Sequence, residues 1–128
     1  MRQTLPKSII LRGYQSFANV IQHGVPFQGT LLQGFVLANG SESSVAVGFS
    51  VPKKRVRLAA QRNRVKRLMR EAFRKNKEEL FDGLRSKGTG ASIVILFRGS
   101  RSVAVDRMTL HDVEPVWLEL QRQILSTL

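Results

Sequence analysis

The residues best suited to chemistry in this chain are cations. Between Lys53 and Lys77 stand twelve of them: Lys53, Lys54, Arg55, Arg57, Arg62, Arg64, Lys66, Arg67, Arg70, Arg74, Lys75 and Lys77. Glu71 is the one acid among them, so the stretch has a net charge of +11 and the other 103 residues together only +1. Such a concentration suits phosphate. Arginine presents a planar fork of donors that matches phosphate oxygens, and each phosphate neutralised releases counterions. With a formal net charge of +12 over 128 residues, the expected partners are polyanions: RNA, DNA or an anionic membrane surface.

The same residues argue against catalysis by this chain's own side chains. Phosphodiester hydrolysis needs paired carboxylates for metal ions, or a placed acid and base. The acids are few: Glu42 in a turn, Glu78, Glu79 and Asp82 at a helix end, and Asp106, Asp112, Glu114 and Glu119 near the C-terminus. They form no motif, and there is no P-loop, HExxH or Gly-x-Ser-x-Gly. The chain has no cysteine, which excludes a disulfide framework, a thiol nucleophile and a Cys-based zinc site. His23 and His111 lie in no ligand-spaced cluster. They leave an acid/base pair as a competing reading, but His23 before Gly24 reads more simply as a helix-end residue near the negative end of the dipole. The expectation is therefore no catalytic residue and no metal site.

Elements must hold the cations in place. At 42% apolar residues the chain is long enough for one domain with a real core, expected over 1–128. No apolar run approaches 18 residues and no secretion signal is legible, so a cytoplasmic protein is expected. Phe17, Val20 and Ile21 give a short first helix over 14–23, ended by Gly24. Thr30 to Ala38 reads as a strand, with Gly34 as a bulge or a close approach. Asn39-Gly40 followed by Ser-Glu-Ser-Ser reads as a hairpin connection, and Ser44 to Val51 as the return strand. A further short strand near Phe27 to Gly29 fits as well. Ala91 to Phe97 reads as a buried central strand. Gly99 to Val105 is expected as a loop. The last helix is expected from Asp112 as N-cap, with Pro115 in its first turn and Val113, Val116, Trp117, Leu120 and Ile124 as its buried stripe.

The cations fall on the long helix between, predicted from Leu58 to Leu80, with Asp82-Gly83 and 86–90 as the connection onward. Val65, Leu68, Met69, Ala72, Phe73 and Leu80 share one face. Asn63, Lys66, Arg67, Arg70, Arg74 and Lys77 occupy the other. A merely solvated face alternates in sign, whereas these charges are nearly unbalanced and repel one another in the free protein. Nucleic-acid binding is thus the expected use. Asn63 can contact a base edge or ribose, or act locally near the helix start. Phe17, Phe27, Phe35 and Phe49 are either core or platforms on which an unpaired base stacks. The expected fold class is α+β, with helices against one small sheet.

The run Phe49-Ser-Val-Pro-Lys-Lys-Arg-Val-Arg-Leu-Ala-Ala-Gln-Arg-Asn-Arg-Val-Lys-Arg-Leu-Met-Arg-Glu-Ala-Phe-Arg74 resembles the signature of the bacterial ribonuclease P protein subunit. That signature is a strand ending in Val-x-Lys-Lys, then Arg-Asn-Arg-x-Lys-Arg-x-x-Arg-Glu-x-Phe-Arg on a helix. Leu11-Arg12, Phe17, Val20 and His23-Gly24 match its N-terminal pattern more loosely. Many members have Gly after the Lys-Lys pair, where this chain has Arg55-Val56-Arg57. The resemblance implies a ribosomal-protein-like α/β sandwich with a left-handed crossover between parallel strands, rare among proteins. It implies a subunit of an endoribonuclease that removes the 5′ leader from precursor tRNA, with the chemistry done by the RNA subunit. Its implied partners are ribonuclease P RNA and the leader, with no membrane and no obligate protein partner. It also implies that the protein alone binds no cofactor and that the RNA-containing holoenzyme requires Mg2+. The implied RNA-binding residues are Lys53, Lys54, Arg57, Arg62, Asn63, Arg64, Lys66, Arg67, Arg70 and Arg74, with Arg12, Phe17 and Ile21 along a leader cleft between the first helix and the sheet.

Competing readings remain at this point. A ribosomal or RNA-assembly protein is equally basic. A membrane-surface helix suits the charge but needs Met69 and Phe73 away from the core. A DNA-binding recognition helix lacks its helix-turn-helix partner.

Overall fold

The computed structural model describes residues 10–11, 13–38, 45–99 and 105–127. Their elements are α1 (Tyr14–His23), β1 (Val25–Gln28), β2 (Leu32–Ala38), β3 (Val45–Ser50), α2 (Ala59–Ser86), β4 (Ala91–Phe97), a 3-10 turn (Val105–Arg107) and α3 (Leu110–Thr127). One four-stranded sheet runs in the order β1-β2-β4-β3. β4 is central as expected, antiparallel to β2 and parallel to β3.

That order corrects the hairpin reading. β2 and β3 are not neighbours, because β4 lies between them. The Asn39-Gly40 turn itself lies outside the described residues. The tight hairpin is β1–β2, with Val25 opposite Val36 and Gln28 opposite Gln33, closed by a bond from Gly29 N–H to Leu32 O at 2.9 Å. The short extra strand is thus real, and Pro26 is tolerated because β1 is an edge strand. Pairing passes unbroken through Gly34, opposite Phe27 on one side and Ile95 on the other, so Gly34 marks no bulge.

The two sides of the sheet do different things. Leu32 and Val36 of β2, Val47 of β3, and Ile93, Ile95 and Phe97 of β4 join the main core with α2 and α3. Phe73 of α2 is its aromatic centre, edge-on to Phe49, Phe81 and Trp117 at centroid separations of 5.9, 6.2 and 5.7 Å. The sheet and the α2–α3 pair are the two main layers. The alternate residues point the other way, toward α1: a side chain at Gly48 would strike the Phe17 ring. The connection from β3 through α2 to β4 is a crossover between adjacent parallel strands.

Two helix ends differ from expectation. α2 continues past Leu80 and takes in Asp82-Gly83, because Leu84 extends its buried stripe by one turn. Gly83 stands where Leu125 of α3 packs, so its missing side chain serves helix–helix contact rather than a turn. Asp112 is not the N-cap of the last helix. Thr109 precedes the helix, and Asp112 in its first turn accepts the Thr109 N–H at 2.8 Å, half of a capping box. Pro115 consequently lies inside α3. Of the loop predicted over 99–105, residues 100–104 lie outside the description, and Val105 opens the 3-10 turn.

Candidate nucleic-acid interface

α2 is amphipathic as the spacing requires. Val65, Met69, Ala72, Phe73, Leu80 and Leu84 are buried, and Leu68 is half-buried. On the other side Asn63, Arg67 and Arg70 are exposed and Lys66 is half-exposed. Among the described residues the ion pairs are Glu71–Arg74, Lys75–Glu114, Asp82–Arg85 and Glu119–Arg122. None of them neutralises Lys66, Arg67 or Arg70. The start of α2 adds to the same field. Its N-cap is Leu58, no side chain caps the first turn, and no acid sits there to offset the positive end of the dipole. For stability this is a poor arrangement. For a polyanion it is a favourable one, and local rules are broken most often at functional sites.

The turn before the helix brings Lys53, Lys54 and Arg57 to the surface. Pro52 O accepts from Arg55 N–H at 3.0 Å and Val56 N–H at 3.1 Å, while Val51 and Val56 are buried beneath. The apolar residues anchor the turn and leave the cations outside.

Not every predicted cation is equally available. Arg62 Nη1 donates to Val56 O at 3.1 Å and to Arg57 O at 2.6 Å. Arg64 Nη2 donates to Met108 O at 2.6 Å, with a weaker contact from Nε to Val105 O at 3.4 Å. Arg74 is held by both carboxylate oxygens of Glu71, and these hydrogen bonds, against some desolvation, raise its pKa above the usual arginine value. Lys75 and Asn76 both reach Glu114 and belong to the α2–α3 contact.

On the opposite face of the sheet, α1 rises over the end of β3. Phe17, Ala18, Ile21, Gln22 and Ser50 line a cavity of about 440 Å3. Phe17 is half-buried on Gly48, and Ile21 is 38% exposed. Arg12, the third predicted cleft residue, lies outside the described residues. Of the other aromatics, Phe27 is core, Phe49 packs on Phe73, and Phe35 is half-buried on the α1 side. The sequence reading missed Ala18, Gln22 and Ser50. The signal for Ser50 was the strand alternation, which puts Ala46, Gly48 and Ser50 on the face away from Phe49. Ser50 is also three residues from Lys53, so the apolar cavity and the cationic turn adjoin along the chain.

Gly48 gives this cavity its shape. Gly48→Ala places a methyl group into the Phe17 ring, whose Cε1 and Cε2 would stand 2.8 and 2.9 Å away. The ring must leave its seat, with a loss of about 1–3 kcal/mol, the usual cost of overpacking. A urea titration measures the loss, and an unchanged midpoint would mean that Phe17 is not seated on β3.

No metal site fits. Among the described residues no group of three or more His, Cys, Asp or Glu is placed to hold an ion. No helix among them is long and apolar enough to cross a membrane.

A cationic helix face, a cationic turn and an adjoining apolar cleft are thus carried by one small mixed sheet. A family model described as Ribonuclease P matches residues 5–121. The chain belongs to the ribonuclease P protein family. The ribonuclease P protein component of Chlorobium phaeobacteroides is 38% identical over 108 residues, covering 77% of this chain and 74% of that one. That of Nitrosomonas eutropha is 40% identical over 76 residues, 59% of this chain and 63% of the relative, so this match spans just under two thirds of the relative's length. The solved ribonuclease P protein of Thermotoga maritima superposes with a TM-score of 0.71 at 28% identity, over 88% of this chain and 96% of that one. The Staphylococcus aureus ribonuclease P protein has a TM-score of 0.72 over 92% and 96% of the two chains, and at 20% identity it speaks for the fold alone.

Proposed function

We propose that this chain is the protein subunit of a ribonuclease P, binding its catalytic RNA and the 5′ leader of precursor tRNA and assisting removal of the leader. The observation that carries this reading is the cationic face of α2: Lys66, Arg67 and Arg70 form no ion pair among the described residues and, with Asn63, project away from the core in a chain of this family. A ribozyme and its substrate are both polyanions and repel one another. A +12 protein bound to the first and touching the second lowers that repulsion.

The division of labour follows from position. The α2 stripe and the turn with Lys53, Lys54 and Arg57 hold phosphates of the catalytic RNA. The cleft of Phe17, Ile21 and Ser50 receives the unpaired leader. Its walls are apolar with few fixed donors, so a base would be held by stacking and contact, largely without regard to sequence. Cleavage itself stays with the RNA, which supplies the Mg2+ chemistry. This chain contributes binding and orientation.

The test is reconstitution with a bacterial ribonuclease P RNA and precursor tRNA at low magnesium. The expected result is cleavage with protein and little without it, with stimulation falling when Arg67 and Arg70 are replaced. Tight RNA binding without any stimulation would overturn the subunit reading in favour of a ribosomal or assembly protein.

A further inference from the structure

We propose that Arg62 and Arg64 are positioning residues of the interface, and that Asn63 is the one member of Arg62-Asn63-Arg64 that faces the RNA. This rests on the RNA-binding reading above and divides its residues into two kinds. By charge and spacing the three are one motif. By geometry they are not. Arg62 and Arg64 are half-buried, while Asn63 between them is exposed.

The guanidinium of Arg62 bridges two successive carbonyls, Val56 O and Arg57 O. Those carbonyls end the turn that carries Lys53, Lys54 and Arg57. The other side of the same turn is tied down by Arg55, whose Nη1 donates to Arg98 O at 3.2 Å, just beyond β4. Arg62 therefore fixes one cationic patch, the turn, against the other, the α2 stripe. Arg64 does the same for the chain entering α3. It reaches Met108 O and Val105 O, while Gln61 Nε2 donates to Asp106 Oδ1 at 2.7 Å one helical turn earlier. In both cases part of the fork, Nη1 of Arg62 and Nη2 with Nε of Arg64, already has acceptors inside the protein. Cations held in place before binding lose less freedom on binding, which favours affinity without adding a phosphate contact. A lysine keeps the charge but lacks the rigid fork.

Salt dependence separates the two kinds of residue, because the slope of log K against log salt counts phosphate contacts and ignores internal bonds. Binding of ribonuclease P RNA is measured over a salt series for wild type, Arg62→Gln, Arg64→Gln and Arg67→Ala. Arg67→Ala is expected to flatten the slope by about 0.9. Arg62→Gln and Arg64→Gln are expected to keep the wild-type slope while Kd rises roughly fivefold. A double-mutant cycle adds a readout that mere loss of stability would not move. If Arg62 acts through the turn, Lys54→Ala costs several-fold less in the Arg62→Gln background than in wild type, whereas Arg67→Ala costs the same in both. Should Arg62→Gln not fold, the cycle is read on Arg62→Lys, which is expected to behave alike.

Slopes that fall by about one unit in the Arg62 and Arg64 variants, or a cycle with no coupling to Lys54, would overturn the proposal while leaving RNA binding intact. A wild-type protein without salt-dependent RNA binding would overturn the functional reading itself and this proposal with it.

Discussion

Met69→Asp is expected to abolish cooperative folding, while Arg70→Asp, one residue along, leaves the protein folded. Met69 is 2% exposed and lies in the main core, one turn from Val65 and Phe73 on the buried stripe of α2. Arg70 is turned about 100° away and is exposed. A carboxylate at 69 would lie in an apolar core closed to water. It must ionise at a cost of several kcal/mol or stay protonated and still leave polar atoms unpaired. Losses above about 4 kcal/mol come from this kind of change, against total stabilities of about 5–15 kcal/mol. Met69→Leu keeps volume and polarity and should cost less than about 1.5 kcal/mol. Far-UV circular dichroism and urea titration of the three variants decide the matter. A cooperatively folded Met69→Asp protein would mean that the buried face of α2 is rotated, and the cationic face with it.

The elements that the sequence made legible are those whose own residues state their surroundings. α2 and α3 are readable because their apolar residues recur at helical spacing, and β4 because a run as apolar as Ala91 to Phe97 must be covered on both faces. Partners are another matter. Asn39-Gly40 signals a turn, but nothing near it says that β4, some fifty residues later, inserts between the two strands. Strand pairing is a long-range choice, and local chemistry specifies only the bend. Asp82-Gly83 misleads for a related reason. The pair has turn chemistry, yet the glycine is there to admit Leu125, a residue of a different helix. Asp112 was the right residue in the wrong role: an acid in the first turn and the acceptor for Thr109, not the cap.

The site divides in the same way. Which side of α2 is cationic follows from periodicity, and Lys66, Arg67 and Arg70 lie where it puts them. Which cations already have an acceptor does not follow, because counting charges cannot tell a backbone carbonyl from a phosphate. The carbonyls that Arg64 meets belong to Val105 and Met108, more than forty residues away. The cleft was not legible from its own residues at all. It came from the resemblance, and in the structure it depends on Gly48, whose missing side chain makes room for Phe17.

Arg67→Ala with Arg70→Ala is expected to give the largest loss of function compatible with an intact fold. Both side chains are exposed, and neither holds an ion pair among the described residues, so their removal takes nothing from the core. The pair should therefore matter little for stability, while on the proposed reading it meets the RNA. If each meets one phosphate, the slope of log K against log salt flattens by about 1.8 for duplex contacts, or about 1.4 for single strands. Between 50 and 200 mM salt the variant's affinity should then fall roughly tenfold less steeply than the wild type's. That sign is what makes the test specific. A partly unfolded protein loses affinity at every salt concentration, whereas a protein short of two phosphate contacts loses most at low salt and converges on the wild type as salt rises. Stimulation of precursor-tRNA cleavage at low magnesium should fall in parallel. An unchanged slope in the double variant would remove this face of α2 from the RNA interface and favour the turn at Lys53, Lys54 and Arg57 as the cationic surface that meets the RNA.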